Sequence, residues 1–204
     1  MNSLERGETQ REIRAMPSEG LIAGIKNRVL QTLARWMPGP FTFRVWAHRM
    51  RGVAMGTRVH VAPDVMIETA YPHWVSIGNN VQLGTRCMIL AHMHSLPPKG
   101  SPKSYVSVRI EDDAYIGPGA IILPNVRIGR GAVVTAGSVV SRSVPPMTMV
   151  QGNPAQAVAR CGVALTWDTP LKTFYLNLKP LEPRPSGVNS VDPQWGFKAD
   201  SGSS

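Results

Sequence analysis

Cysteine is nearly absent. Only Cys87 and Cys161 occur in 204 residues, and they form no CxxC pair, which excludes a disulfide framework and a cysteine-rich zinc module. Both are expected to be reduced thiols. Acidic residues are also scarce, 13 against 22 Lys and Arg, for a formal net charge of +9. Such a charge invites nucleic acid, but aromatics make up only 6% of the chain and do not interleave with the arginines as a single-strand platform requires. No RNA- or DNA-binding motif is present, so no nucleic-acid partner is expected. Long apolar runs are missing as well. Nothing approaches the ~20 residues of a membrane span, and no N-terminal segment has the uncharged apolar run of a signal peptide. A cytoplasmic protein is expected.

What the sequence does hold is a period of six. Ile110, Ile116, Ile122, Ile128, Val134 and Val140 are spaced six apart, and four residues after each stand Ala114, Ala120, Val126, Ala132, Ser138 and Val144, all small or β-branched. The same spacing runs through Met55, Val61 and Ile67, and again through Ile77, Leu83 and Ile89, with "GTRV", "APDV", "GNNV" and "GTRC" between. This period is neither 3.6 nor 2, and it marks a solenoid. Each hexad supplies a short strand and a tight corner, with the aliphatic residue inward and Gly, Asn or Asp taking the unusual backbone angles. Three sides make one coil of a triangular parallel β-helix. The glycines of "IGRGAVV" lack the strand-to-helix turn that a dinucleotide fingerprint needs. The period breaks twice, between Ile67 and Ile77 and between His94 and Ile110.

The flanks differ. From Gly20 to Arg51 there are six basic residues and no acidic one, while Ile22, Ile25, Val29, Leu33 and Trp36 recur at helical spacing. After "PGP" a second short helix is expected to carry Phe43, Val45, Trp46 and Met50. A basic amphipathic helix suits an anionic membrane surface, as a peripheral contact, and equally suits the open edge of the first coil. Beyond Gly162, "ALTWDTPLKTFYLNL" is expected to place Trp167, Leu171, Phe174, Tyr175 and Leu178 around a short helix packed on the coil. The expected organisation is a helical cap over 1–51, the repeat over 52–160 with a loop at 95–107, and a C-terminal extension over 161–204.

From about Gly52 to Pro154 the chain resembles the hexapeptide-repeat acyltransferases, the all-β, left-handed parallel β-helix family that includes galactoside and maltose O-acetyltransferases. The most specific likeness is "ILPNVRIGRGAVVTAGSVVSRSVPPMTMVQGNPA", similar to the family's terminal coils and exit. The resemblance implies an acetyl-CoA-dependent O-acetyltransferase, without metal, assembled as a homotrimer and acting on a hydroxyl of a sugar or glycan precursor, as in polysaccharide biosynthesis. It also implies that His94, at the family's offset from the small corner residue Cys87, is the general base, because a neutral imidazole is suited to removing a hydroxyl proton near pH 7. His92 then supports it.

The loop from about Ser95 to Ser107, with its "PPKGSPK", leaves the coil at that point; in the family such an excursion walls a site between protomers. By the same likeness Pro118 and Ala136 line the pantetheine groove, and Ser141 and Arg142 lie near the coenzyme phosphates. The family's next basic contact falls on Gln156, with Arg160 close enough to substitute. The family's acceptor-holding Asn is missing from "PDVMIETAYPHWVSIG", where Asp64, Glu68, Tyr71 and Trp74 are candidate replacements. A zinc-dependent hydratase of the carbonic-anhydrase type on the same fold and a non-catalytic scaffold stay open beside the transferase.

Overall fold

A computed structural model describes residues 20–92 and 107–181. The hexads fold as two- and three-residue strands that repeat around three parallel sheets. One sheet stacks β1 (Ala54–Met55), β4 (Val75–Ile77), β7 (Val108–Ile110) and β10 (Arg127–Ile128). The second runs through β2 (His60–Val61), β5 (Gln82–Leu83), β8 (Tyr115–Ile116) and β11 (Val133–Val134) to β13 (Thr148–Gly152). The third holds β3 (Met66–Ile67), β6 (Met88–Ile89), β9 (Ile121–Ile122) and β12 (Val139–Val140). This is a three-sided parallel β-helix. Its interior is the column of hexad residues: Val61, Ile67, Leu83, Ile89, Ile116, Ile122, Ile128 and Val134 are all wholly buried. Burial of each such side chain contributes about 1.5–3 kcal/mol.

Most of the uninterrupted corners are four-residue turns whose third residue is left-handed. Glycine takes this place at Gly119, Gly131 and Gly137, and Asn or Asp at Asp64, Asn80, Asp113 and Asn125, but Arg58 and Arg86 take it as well, at φ 52° and 60°. The corners open with small residues because the coils approach closely: a Cβ on Gly117 would stand 2.5 Å from the Ala136 nitrogen of the next coil.

Register explains both breaks in the period. Ile110 pairs with Ile128, a plain coil of eighteen residues, but Met55 pairs with Ile77 and Ile77 with Ile110. Those two coils are four and fifteen residues longer. Both insertions fall at the same corner, between the third sheet and the first.

Helices α1 (Leu21–Trp36) and α2 (Phe43–Arg51) lie over the first coil. Its open edge is met by polar groups: Gln31 donates to Val65 O (3.0 Å), Arg44 to Val61 O (3.0 Å) and Arg51 to Ile67 O (2.9 Å), while Val61 N–H donates to Pro40 O (2.9 Å). Covering an unpaired strand edge in this way removes its tendency to recruit another strand. The buried residues of α1 are Gly24, Asn27, Gln31 and Ala34, so the stripe of Ile22, Ile25, Val29, Leu33 and Trp36 faces away from the coil. His48 on α2 is fully buried, its pKa pushed down to about 3 by burial and the adjacent Arg51 charge.

At the other end the short helix expected in the C-terminal extension forms, and strands that were not expected accompany it. β13 turns back into β14 (Ala155–Cys161) and then β15 (Leu178–Pro180), both antiparallel, extending the second sheet. The short helix α3 (Leu171–Leu176) forms within this return. Phe174 is buried against Val133 and Cys161, whereas Trp167 and Tyr175 remain largely exposed. Trp167 instead packs edge-on against Phe41 and His60. Cys87 and Cys161 are free and buried, and burial pushes their thiols up to about 12 and about 11.

Candidate functional site

The corner that carries both insertions gathers the chemistry. The first insertion begins at Glu68, directly after the core residue Ile67, and Ile67 pairs with Ile89 on the next coil. That register sets Glu68 beneath the chain as it leaves for the second insertion. One carboxylate oxygen accepts from Ala70 N–H (2.9 Å) and Tyr71 N–H (3.3 Å). The other accepts from Ala91 N–H and His92 Nδ1, both at 2.8 Å.

The Glu68 side chain is 1% exposed and that of His92 33%. Burial alone pushes the Glu68 carboxyl up, but the hydrogen bonds from His92, Ala91 and Ala70 outweigh it and hold the group below the usual carboxylate range. A carboxylate only accepts, so Nδ1 of His92 carries a proton, and in the tautomer this fixes the acceptor nitrogen of the ring is Nε2. A base oriented by an acid at its other nitrogen is the arrangement that proton removal from a hydroxyl needs.

Aromatic rings wall this pair. Tyr71 stacks on Trp74 at 4.2 Å and 15°, and meets His92 edge-on at 5.2 Å. The second insertion rejoins the coil at Ser107, whose N–H donates to Trp74 O (2.9 Å) and whose Oγ accepts from Asn125 N–H (3.0 Å). An open cleft of ≈ 340 Å³ continues up this corner, lined by Ser107, Arg109, Asn125, Arg127 and Ser143. His94 and positions 95–106 of the expected loop lie outside the described residues.

The residues named from sequence fall into separate groups. Glu68, Tyr71, Trp74 and His92 come together at this corner. Trp74 is 1% exposed beneath Tyr71, and both Glu68 oxygens are committed within the protein. Asp64 stands at a different corner, between the second and third sheets, where it pairs with Arg35 (2.5 Å) and Arg86 (3.4 Å). Tyr71, half-buried, is the ring of the four that meets His92 directly.

Pro118 and Ala136 stack at the Asp64 corner, joined by Gly137 N–H to Pro118 O (2.9 Å). A cleft of ≈ 510 Å³ lies there, lined by Trp36, Pro63, Asp64, Thr85, Arg86, Pro118 and Gly119. Ser141 and Arg142 are exposed one corner on, across the third sheet. Arg160 sits on β14 of the second sheet, donating to Thr148 Oγ1 (2.8 Å). Within a single chain these five residues do not line one groove.

Among the described residues no three His, Cys, Asp or Glu side chains converge as a metal centre requires. The role of Glu68 toward His92 was hidden in the sequence, and its signal is the register: once the four-residue excess is placed at a corner, Glu68 falls under Leu90 and beside His92.

The model for "Bacterial transferase hexapeptide (six repeats)" matches residues 107–142. A Bacillus subtilis (strain 168) protein provisionally assigned as an acetyltransferase, YvoF, is 33% identical over 135 residues, covering 66% of this chain and 76% of its own. The 2,3,4,5-tetrahydropyridine-2,6-dicarboxylate N-acetyltransferase of Staphylococcus aureus (strain bovine RF122 / ET3-1) is 42% identical over 81 residues, which is 40% of this chain and 31% of that enzyme. The chain thus spans between about a third and three quarters of the length of the curated relatives it matches. Among solved structures, a hexapeptide-repeat-containing acetyltransferase from Vibrio cholerae superposes with a TM-score of 0.52 at 20% identity, over 68% of this chain and 90% of that one. That likeness shows the fold.

Proposed function

Since the chain belongs to the hexapeptide-repeat acetyltransferases, we propose that it moves an acetyl group from acetyl-CoA to a hydroxyl of a sugar or glycan precursor. One observation carries the placement of the chemistry: both insertions stack on a single corner, and the first reaches into the second through Glu68 and His92. In this reading the coil is left-handed and His94, two residues further along the same excursion, removes the acceptor proton. The acceptor oxygen attacks the thioester carbonyl, the C–O bond forms, the C–S bond breaks, and the proton passes to the departing thiolate to give free coenzyme A. General-base assistance of this kind accelerates transfer by ~10²–10⁴-fold. Backbone N–H groups at the corner stabilise the oxyanion. Pro118 and Ala136 flank the pantetheine arm, Ser141, Arg142 and Arg160 meet the phosphates, and Tyr71 offers its ring to the acceptor.

A second assignment of the base is favoured by the geometry of His92. Its Nδ1 already has the buried carboxylate partner that leaves Nε2 available, so His92 itself stands as the alternative proton acceptor.

The test is acceptor-dependent thiol release from acetyl-CoA across a panel of sugars and amines, run with and without chelator. The amines belong in the panel because one matched relative is an N-acetyltransferase. The reading expects release with a hydroxyl acceptor and no effect of chelator. Release only with amines moves the acceptor class. No release with any acceptor, or activity that chelation abolishes, overturns the reading.

A further inference from the structure

Two arginines stand opposite each other on the first sheet. Arg109 on β7 and Arg127 on β10 are register partners, and like charges set opposite on neighbouring strands repel. They are not balanced alike. Glu111, the carboxylate nearest to Arg109 in sequence, accepts from Nε of Arg127 (2.7 Å) on one oxygen and from Arg130 N–H (2.9 Å) on the other. Among the described residues no carboxylate comes within ion-pair distance of Arg109, whose exposed guanidinium makes no hydrogen bond to them either. The second insertion supplies no carboxylate: between His92 and Ser107 its sequence holds Lys99 and Lys103 and no acidic residue.

Both arginines line the ≈ 340 Å³ cleft at the doubly inserted corner, together with Ser107, Asn125 and Ser143. Ser107 is 4% exposed. Its Oγ accepts from Asn125 N–H, and Ser143 Oγ accepts from Arg127 N–H, both at 3.0 Å. Those bonds use the hydroxyl oxygens and leave each O–H to donate. We propose that this cleft binds a phosphoryl group of the acceptor, so that the acceptor is a phosphorylated sugar. The acceptor part rests on the acetyl-transfer reading; the anion site does not. A phosphoryl group answers each feature, with several oxygens for the hydroxyl donors and the guanidinium, and with the negative charge that the arginine pair lacks. Distance separates acceptor from donor. Ser107 N–H donates to Trp74 O (2.9 Å), and Trp74 lies beneath Tyr71, which meets His92. The cleft therefore begins within one or two coils of His92, roughly 5–10 Å along the axis. A single sugar ring spans that gap, whereas the extended pantetheine arm of coenzyme A is longer than it.

The test begins with calorimetric binding of inorganic phosphate, pyrophosphate and acetyl-CoA to the full-length protein. Arg109→Gln should weaken binding of both inorganic anions about tenfold, the loss of a charge-assisted hydrogen bond, with acetyl-CoA affinity unchanged. Arg109→Lys, which keeps the charge but not the planar fork, should fall between. Because Arg109 is exposed and faces a like charge, the melt of Arg109→Gln should be no lower than that of the wild type, and pyrophosphate should raise the melt of the wild type alone. In the thiol-release assay phosphorylated sugars should serve as acceptors, and Arg109→Gln should raise their KM about tenfold with kcat nearly unchanged. Undiminished phosphate and pyrophosphate affinity in Arg109→Gln, or no binding of either by the wild type, overturns the site and leaves Arg109 a solvated surface cation. A fall in acetyl-CoA affinity in Arg109→Gln, with phosphate competing against acetyl-CoA, overturns the acceptor assignment and gives the cleft to the donor. Release with neutral sugars alone overturns the acceptor class. Failure of thiol release with every acceptor while phosphate still binds through Arg109 supports the anion site and removes the acetyl-transfer reading instead.

Discussion

The Glu68 carboxylate accepts four hydrogen bonds while almost wholly buried. Glu68→Gln keeps the shape but turns an amide NH₂ toward one pair of N–H donors, and a buried donor left unpaired costs about 1–3 kcal/mol. Urea unfolding near pH 7 should show a loss of that size. The pH dependence has a definite sign. Because the folded-state pKa is lowered, the stability that this carboxylate adds is complete above the ordinary Glu value of about 4.3 and is lost as pH falls through the lowered value. The gap between wild type and Glu68→Gln should therefore be widest near neutrality and close in acid; a gap that widens below pH 4 contradicts the assignment.

Arg142 belongs to the same scale. If its guanidinium meets a coenzyme phosphate, Arg142→Ala should weaken apparent acetyl-CoA affinity about tenfold, the loss of a charge-assisted bond partly screened by solvent. The acceptor KM should stay nearly unchanged. A truncated thioester that keeps the pantetheine arm but lacks the nucleotide should then be handled alike by variant and wild type. Equal impairment with the truncated donor would show that Arg142 acts on fold or assembly.

At the level of the element, the strand and the corner make different demands. Ile122 is fully buried in the central column, so Ile122→Ala should cost about 2–5 kcal/mol. Gly117→Ala adds a single methyl, yet its Cβ would meet the backbone of the next coil at 2.5 Å, and prying stacked coils apart should cost about 1–3 kcal/mol. Thermal denaturation of both variants would check this; a neutral Gly117→Ala would mean the coils are more loosely stacked than the register shows. These demands are why the β-helix was readable from sequence: a period of six needs an aliphatic residue at every turn of the column, and the corners need small residues.

Other elements were less legible for physical reasons. The antiparallel strands β14 and β15 have no hexad to announce them, because they pair at one edge of a sheet rather than around a core. Helical spacing located α1 correctly, but Gln31 holds it to the backbone of the first coil, donating to Val65 O and accepting from Ile67 N–H, so hydrogen bonding rather than apolar burial chose its inward side. The breaks after Ile67 and His94 were visible, while their meeting at one corner required the pairing of Ile67 with Ile89 and of Ile77 with Ile110. Asp64 and Glu68, four residues apart, were grouped by sequence proximity; one side of the prism, the third-sheet strand Met66–Ile67, separates their corners.

On the scale of the whole molecule, the proposed donor contacts Pro118 and Ala136, and Ser141 and Arg142, stand at two corners with the third sheet between them, and Arg160 lies on the second sheet. A cyclic homotrimer would close a groove by setting one corner of a protomer against a side of the next, giving three equivalent sites. Light scattering should return a trimer mass at working concentration, and a fully active monomer would refute that assembly. The most direct measurement of the claim that catalysis belongs to the doubly inserted corner is the turnover of His94→Ala and His92→Ala beside their acetyl-CoA affinity. His94→Ala should lose at least ~100-fold in kcat with donor binding and thermal melt intact, and His92→Ala should lose less; the reverse order would transfer the base to His92. Wild-type turnover by both variants would contradict the placement of the chemistry at this corner.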